Sequence, residues 1–226
     1  MRAGVKSGFD RLDSLPLSEE RNSMDGMVKP RPPQPEGASK PSREEAMDAV
    51  RTLLAWAGDD PKREGLLDTP GRVVEAFDEW FKGYAMDPVK ELARTFEDVQ
   101  GYDDIVLLKN MDVESHCEHH MAPFLGKAFV AYLPTNKVVG ISKIARVVEV
   151  FAKRLQTQET MTAQIADAIT EALKPAGVAV LIDAEHQCMT TRGVHHKDVT
   201  TVTTQFTGVF KSDRELRDRF LRLCGY

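Results

Sequence analysis

The sequence predicts an α+β chain with helices at both ends and two more set between strands. Three observations carry this prediction. Apolar residues recur at helical spacing near both ends, short β-rich runs fill the middle, and cap and stop residues bracket the helical stretches.

Residues 1–40 mix charges with Gly, Ser and the proline cluster KPRPPQPEG at 29–37. No apolar period is sustained there, so this stretch reads as a disordered or loosely attached arm. Folding signals begin at Ser42, which forms a capping-box pattern with Glu45 ahead of Met47, Val50, Leu53, Leu54 and Ala57, with Gly58 as the stop. A second helix is expected from Thr69 as cap and Pro70 in the first turn, with Val73, Phe77, Trp80 and Phe81 on one face and Gly83 ending it. A shorter third runs from Asp87 and Pro88 through Leu92 to Phe96, closing an N-terminal helical region over 41–100. After Asp104 the pattern changes to strands, IVLL at 105–108 and KAFVAYLP at 127–134. Helical period returns from Ser142, with Ile144, Val147, Val148 and Phe151 on one face, and again over Thr160 to Leu173. Pro175 and Gly177 close that helix. VAVLIDA at 178–184 and VTTVTTQFTGVF at 199–210 read as strands, and Ser212 with Glu215 caps a last helix through Leu216, Phe220 and Leu223.

A chain of 226 residues supports one domain with a sizeable core, or a core domain with a smaller helical appendage. The net charge of −5 and pI of about 5.7 give no global basic field, which argues against nucleic acid or an anionic membrane as partner. No apolar run approaches the roughly 20 residues needed to cross a bilayer, and the N-terminus lacks a signal peptide's apolar stretch. A cytoplasmic location is expected. Three cysteines are too few for a disulfide framework in a chain of this length. Cys117 and Cys188 lie beside histidines, whereas Cys224 reads as an ordinary residue without a chemical role.

The densest chemical signal is SHCEHHMAPF at 115–124, where Cys117 and His120 have the spacing that lets one turn present a thiolate and an imidazole to one zinc ion. Cys188, within EHQCM directly after a strand, offers a third ligand. In extended backbone His186 and Cys188 would project to one side. Such a set suits a catalytic zinc with a fourth position left for water. It equally suits a closed structural zinc with His116, His119 or His186 as fourth ligand, or two buried cysteines without a metal.

Ser142 is a candidate helix N-cap. Lys143 and Arg146 then share the first turn, where exposed amides, the helix dipole and two cations suit phosphate oxygens. The alternative is a solvated basic face. Arg192 follows Cys188 closely and is followed by Gly193, so it is a candidate cation beside a metal bound there. Gln158 and Glu159 lie just before the helix expected from Thr160. A carboxylate there either caps backbone amides or accepts two hydrogen bonds from a guanine edge.

Taken together, GDDPKREGLLDTPGR at 58–72, CEHH at 117–120, PFLGKAFVAYLP at 123–134, GISKIARVVE at 140–149, RLQTQE at 154–159, and HQCM with TRGV at 186–194 resemble the GTP cyclohydrolase I family. The resemblance implies hydrolysis of GTP to formate and 7,8-dihydroneopterin 3′-triphosphate, the first step toward folate or tetrahydrobiopterin. It implies one Zn2+ per subunit on Cys117, His120 and Cys188, which activates the water that attacks C8 of guanine. His119 and His186 would move protons, and Glu159 helped by Gln158 would anchor the guanine edge. Ser142, Lys143, Arg146 and Arg192 would hold ribose and triphosphate, with Arg63 a further contributor from a neighbouring subunit. It further implies that 101–226 is a catalytic tunnelling-fold domain, a four-stranded antiparallel sheet with two helices on one face, in a toroidal homodecamer of two pentamers. Thr160 stands where many members carry arginine, and His195 and His196 receive no role. A zinc nucleobase deaminase is disfavoured because its H-x-E and P-C-x-x-C pattern is absent. A non-catalytic pterin or purine binder is disfavoured because His119, His186 and Glu159 are all present.

Overall fold

The computed structural model describes residues 40–93, 95–96 and 102–226. The expected arm lies, but for Lys40, outside the described residues. Helix α1 spans Arg43–Trp56 and starts on a complete capping box: Ser42 Oγ accepts from Glu45 N at 3.2 Å, and Glu45 Oε2 accepts from Ser42 N at 2.8 Å. Helix α2 spans Thr69–Trp80 and packs along α1. Its N-cap position falls on Asp68, so Thr69 is the first helical residue and not the cap. The chain continues past Trp80 through a 3₁₀ turn at Lys82–Ala85, which contains Gly83. A Cβ on Gly83 would meet Val150 O at 2.2 Å, so only glycine lets this turn press against the helix that contains Val150.

Helix α3 is shorter than expected, Pro88–Leu92, with Asp87 Oδ1 accepting from Val89 N at 3.0 Å. Thr95–Phe96 forms strand β1 where helix was expected through Phe96. Strand β2 then runs from Val106 to Cys117 and β3 from Pro123 to Leu133, both longer than their apolar kernels. After β4 (Val138–Val139), which pairs with β1, α4 spans Ile141–Ala152. Strand β5 (Leu155–Gln156), α5 (Gln158–Leu173), β6 (Gly177–His186) and α6 (Gln187–Thr190) follow. Strand β7 is Thr200–Phe206. Val209 and Phe210, expected as its continuation, are helical instead: Gly208 turns the chain at φ 52° into α7 (Val209–Ser212). Ser212 therefore ends α7, and Asp213 caps the last helix, α8 (Arg214–Cys224), accepting from Leu216 N at 3.1 Å.

Strands β2, β3, β6 and β7 form one antiparallel sheet, with β5 added in parallel at the β2 edge. This is the tunnelling fold: α4 and α5 cover one face. Ile144, Val147, Val148, Met161, Ile165 and Ile169 from those helices meet Val130, Tyr132, Val180 and Ile182 from the strands. Each such fully buried side chain contributes about 1.5–3 kcal/mol. The opposite face, with Phe129, Ala131, Ala179 and Leu181, lies under Phe210 and Phe220 of α7 and α8. Cys224 joins this second core, where burial pushes its thiol up to about 11.

One irregularity decides which face carries the end of β2. Leu108 pairs with Val130, but Met111 pairs with Ala128, so one extra residue sits in β2 between them. Asn110 takes φ 58° there. Before the bulge Val106 and Leu108 face α4 and α5; after it Met111, Val113 and Cys117 do. The bulge thus switches the inward set from even to odd positions.

Asn is among the few side chains that enter the left-handed region at low cost. Asn110→Gly is expected to stay within about 1 kcal/mol of the parent. Asn110→Val should lose about 1–2 kcal/mol, a difference that urea unfolding of both variants will resolve.

Candidate functional site

Cys117 is the last residue of β2 and is buried. A tight turn follows it. Met121 N donates to Cys117 O and Cys117 N donates to Ala122 O, both at 2.8 Å, with Met121 in the left-handed region at φ 54°. The turn swings two imidazoles back to the sulfur: His119 Nδ1 lies 3.6 Å and His120 Nδ1 4.0 Å from Cys117 Sγ. Cys188 arrives from the other segment, and ligand atoms of Cys117, His120 and Cys188 all lie within 4.8 Å of one another. It stands on the short helix α6, not on the extended continuation of β6 that the sequence suggested.

The donor set fits a soft divalent cation. Burial, and then the neighbouring Cys117, push the Cys188 thiol above its ordinary range, with Arg192 nearby opposing. A partly desolvated thiol beside a second sulfur is an arrangement that a bound cation relieves. Two sulfurs and a nitrogen match zinc. His116 does not belong to this set. It is buried between Trp80 and Phe81, with ring centroids 4.8 and 5.3 Å away, because it sits one residue before Cys117 on an alternating strand.

His186 ends β6 directly opposite Phe124, the second residue of β3, and the two rings stack at 4.5 Å and 9°. Its Nε2 lies 2.8 Å from Gln158 Oε1. Gln158 Nε2 in turn faces Ile182 O at 3.0 Å, Thr201 O at 2.7 Å and Thr203 Oγ1 at 3.1 Å. Two of these are carbonyls that can only accept, so the amide's nitrogen end is fixed and its oxygen must accept from His186. Neutral His186 therefore carries its proton on Nε2 and has its lone pair on Nδ1. Burial holds this imidazole below its ordinary range, and Glu159 partly offsets that.

The structure corrects the local reading around both helix starts. Gln158 and Glu159 lie inside the first turn of α5, not before it, and the cap is Thr157, whose Oγ1 accepts from Thr160 N at 3.2 Å. Thr160 Oγ1 joins the same cap, accepting from Thr157 Oγ1 at 2.8 Å. Gln158 is buried beneath the site with its amide engaged, whereas Glu159 is exposed. Ser142 is likewise inside α4: Gly140, in extended conformation, holds the cap position, and Lys143 N donates to Gly140 O at 2.8 Å.

Lys143 and Arg146 share that first turn, but within one chain they do not reach the sulfur cluster. The C-terminal end of α4 is the end beside β2, where Ser115 Oγ donates to Arg154 O and Lys153 Nζ pairs with Glu114 at 3.2 Å. A helix of 12 residues is about 18 Å long, which puts its first turn about 12 Å from its last. Arg192 lies in the exposed turn after α6, near Cys188. Arg63 lies between α1 and α2, where Nε and Nη2 each donate to Asp59 at 2.8 Å. Two contributors carried no functional signal in the sequence: Phe124, hidden in an ordinary strand pattern, and Glu91, which meets Lys143 and Arg146 only through the packing of α3 on α4.

A tunnelling-fold sheet that ends in two thiols and three imidazoles defines an α+β enzyme with a metal-competent centre. The family model for GTP cyclohydrolase I matches residues 46–225. GTP cyclohydrolase 1 of Hyphomonas neptunium is 74% identical over 193 residues, 85% of this chain and 94% of that protein. The enzyme of that name from Maricaulis maris is 74% identical over 185 residues, 82% of this chain and 90% of its own. The one from Allorhizobium ampelinum is 58% identical over 200 residues, 88% of this chain and 98% of its own. The chain belongs to the GTP cyclohydrolase I family. No described helix is long and apolar enough to cross a membrane.

The contrast between buried Gln158 and exposed Glu159 is measurable. Gln158→Leu, close in volume, leaves His186 and two carbonyls unpaired and should lose about 2–4 kcal/mol in urea unfolding. Glu159→Gln should stay within about 0.5 kcal/mol.

Proposed function

We propose that the groups gathered around Cys117, His120 and Cys188 catalyse the GTP cyclohydrolase I reaction, in which GTP and water give formate and 7,8-dihydroneopterin 3′-triphosphate. The single observation that carries this assignment is the convergence of two thiols and an imidazole within 4.8 Å, beside a histidine whose tautomer is fixed.

Cys117, His120 and Cys188 hold one zinc ion in this reading. When bound, zinc supplies the polarisation that makes water a nucleophile toward C8 of the guanine ring near neutral pH. The chain's own groups do the rest. C8 of a neutral purine is a poor electrophile, so a proton must reach the ring nitrogen as the imidazole ring opens. His186 moves that proton at Nδ1, while Gln158 holds Nε2–H and the Phe124 ring fixes the plane of the imidazole. His119, exposed on the turn beside Cys117, serves the later proton transfers that release formate. Glu159, exposed at the start of α5, accepts from the guanine edge; Gln158 acts beneath it as a positioning residue.

Ser142, Lys143, Arg146 and Arg192 hold the ribose and triphosphate, and Arg63 is a further contributor. Since α4 carries its cations at the far end from its own chain's cluster, a neighbouring subunit brings the two together. We therefore read the protein as a homo-oligomer of the family's toroidal decameric type. The apolar side of α1 supports this: the helix buries no residue in the single chain, and Leu53 and Trp56 are 65% and 88% exposed. A cytoplasmic location accords with free, metal-ready cysteines.

Incubation of the purified protein with GTP, following formate and pterin fluorescence, tests the reading. A zinc chelator should abolish turnover, and turnover indifferent to chelation would refute the metal's role. Cys188→Ser is expected to lose both zinc and activity. His186→Ala should retain zinc by elemental analysis yet lose about 10²–10⁴-fold in kcat; a zinc-free His186→Ala protein would make that histidine a ligand.

A further inference from the structure

Glu91, on the short helix α3, is the group that faces the two cations assigned to the triphosphate. Its Oε2 lies 3.5 Å from Lys143 Nζ and 3.5 Å from Arg146 Nη1. That oxygen is buried and accepts no hydrogen bond among the described residues. Charge-assisted hydrogen bonds close to about 2.7–2.9 Å. Both contacts are longer, so the carboxylate neutralises charge without occupying the ammonium and guanidinium donors. Lys143 and Arg146 remain 27% and 57% exposed, with N–H groups free to meet phosphate oxygens.

The chemistry gives this arrangement a purpose. The reaction opens the purine imidazole ring and leaves the triphosphate intact, so the same cations bind substrate and product. Affinity for the shared group is uniform binding: it lowers KM without speeding the chemical step, and in excess it slows product release. An anion fixed behind the cations reduces that affinity while keeping the cations in place when no phosphate is present.

We infer that Glu91 is a built-in counter-anion that sets triphosphate affinity and thereby product release, an inference that rests on Lys143 and Arg146 being the phosphate site. It is a positioning and affinity-setting residue, not a catalytic one.

The test uses the full-length zinc-loaded protein and inorganic tripolyphosphate as probe, titrated by calorimetry alongside steady-state kinetics with GTP. Glu91→Gln keeps the shape of the side chain and removes its charge. It is expected to bind tripolyphosphate about tenfold more tightly and to lower KM, with kcat reduced as release slows. A Glu91→Gln protein that binds the probe equally or more weakly overturns the inference, because a mere staple between α3 and α4 would loosen the cations when broken. If Glu91→Gln fails to fold, Glu91→Asp, which withdraws the charge by one methylene, should show the same tightening at about two- to threefold, and no tightening there overturns the inference equally. Lys143→Ala and Arg146→Ala separate the two levels. If they bind tripolyphosphate as the parent does, the phosphate-site reading fails; if they lose affinity while Glu91→Gln is unchanged, only the role of Glu91 fails.

Discussion

The site depends on one extra residue in β2. Side chains alternate along a strand, so the side on which Cys117 emerges is decided by a parity count from the start of the sheet. Without the bulge between Leu108 and Met111, Cys117 would emerge on the face that carries Phe129 and Leu181, beneath α8. With it, Cys117 shares a face with Phe124 and His186. The displacement also sends His116 to the other side, into the rings of Trp80 and Phe81, so one irregularity both supplies a sulfur to the centre and anchors the N-terminal helices.

Register completes what parity begins. Phe124 faces His186 across β3 and β6, and Cys117 lies beside Gln156 across β2 and β5. The first turn of α5 then lands under His186, and the buried Gln158 amide is gripped by carbonyls of β6 and β7. Burial is concentrated below the site and exposure above it. The groups that orient, Phe124 by stacking and Gln158 by hydrogen bonds, are buried, while Glu159, His119 and Ser142 are exposed. In the proposed reaction, an imidazole held this way is already oriented when substrate arrives.

Local signals in the sequence disclosed much of the fold. The capping box at Ser42 and the apolar periods of α4 and α5 depend on neighbours within a turn or two, and so they were legible. Ser142 and Ser212 misled because a good cap residue just inside a helix or just before its true cap looks the same in sequence; Gly140 and Asp213 hold the cap positions. Val209 and Phe210 read as strand because β-forming residues resume on both sides of Gly208, whose positive φ turns the chain into α7. The sulfur–imidazole cluster was readable from spacing. The bulge was not, since its meaning lies in the pairing of β2 with β3, and neither was the burial of Gln158, whose partners lie far along the chain.

The geometry of α4 sets a condition on any complete site. The chain just after its last turn meets the end of β2 that leads into the cluster, and its first turn carries Lys143 and Arg146, so the two halves of the proposed site are separated within one chain by the helix that connects them. In the proposed oligomer a head-to-tail contact between subunits resolves this. Such an interface joins unlike surfaces, so the cationic end of one chain can lie beside the sulfur end of the next, and a rotation that closes produces a ring. An isologous pairing alone would not by itself impose that repeated order. The proposed toroid accords with where this helix begins and ends, and in that reading purine chemistry and triphosphate affinity fall to residues that do not compete for the same space.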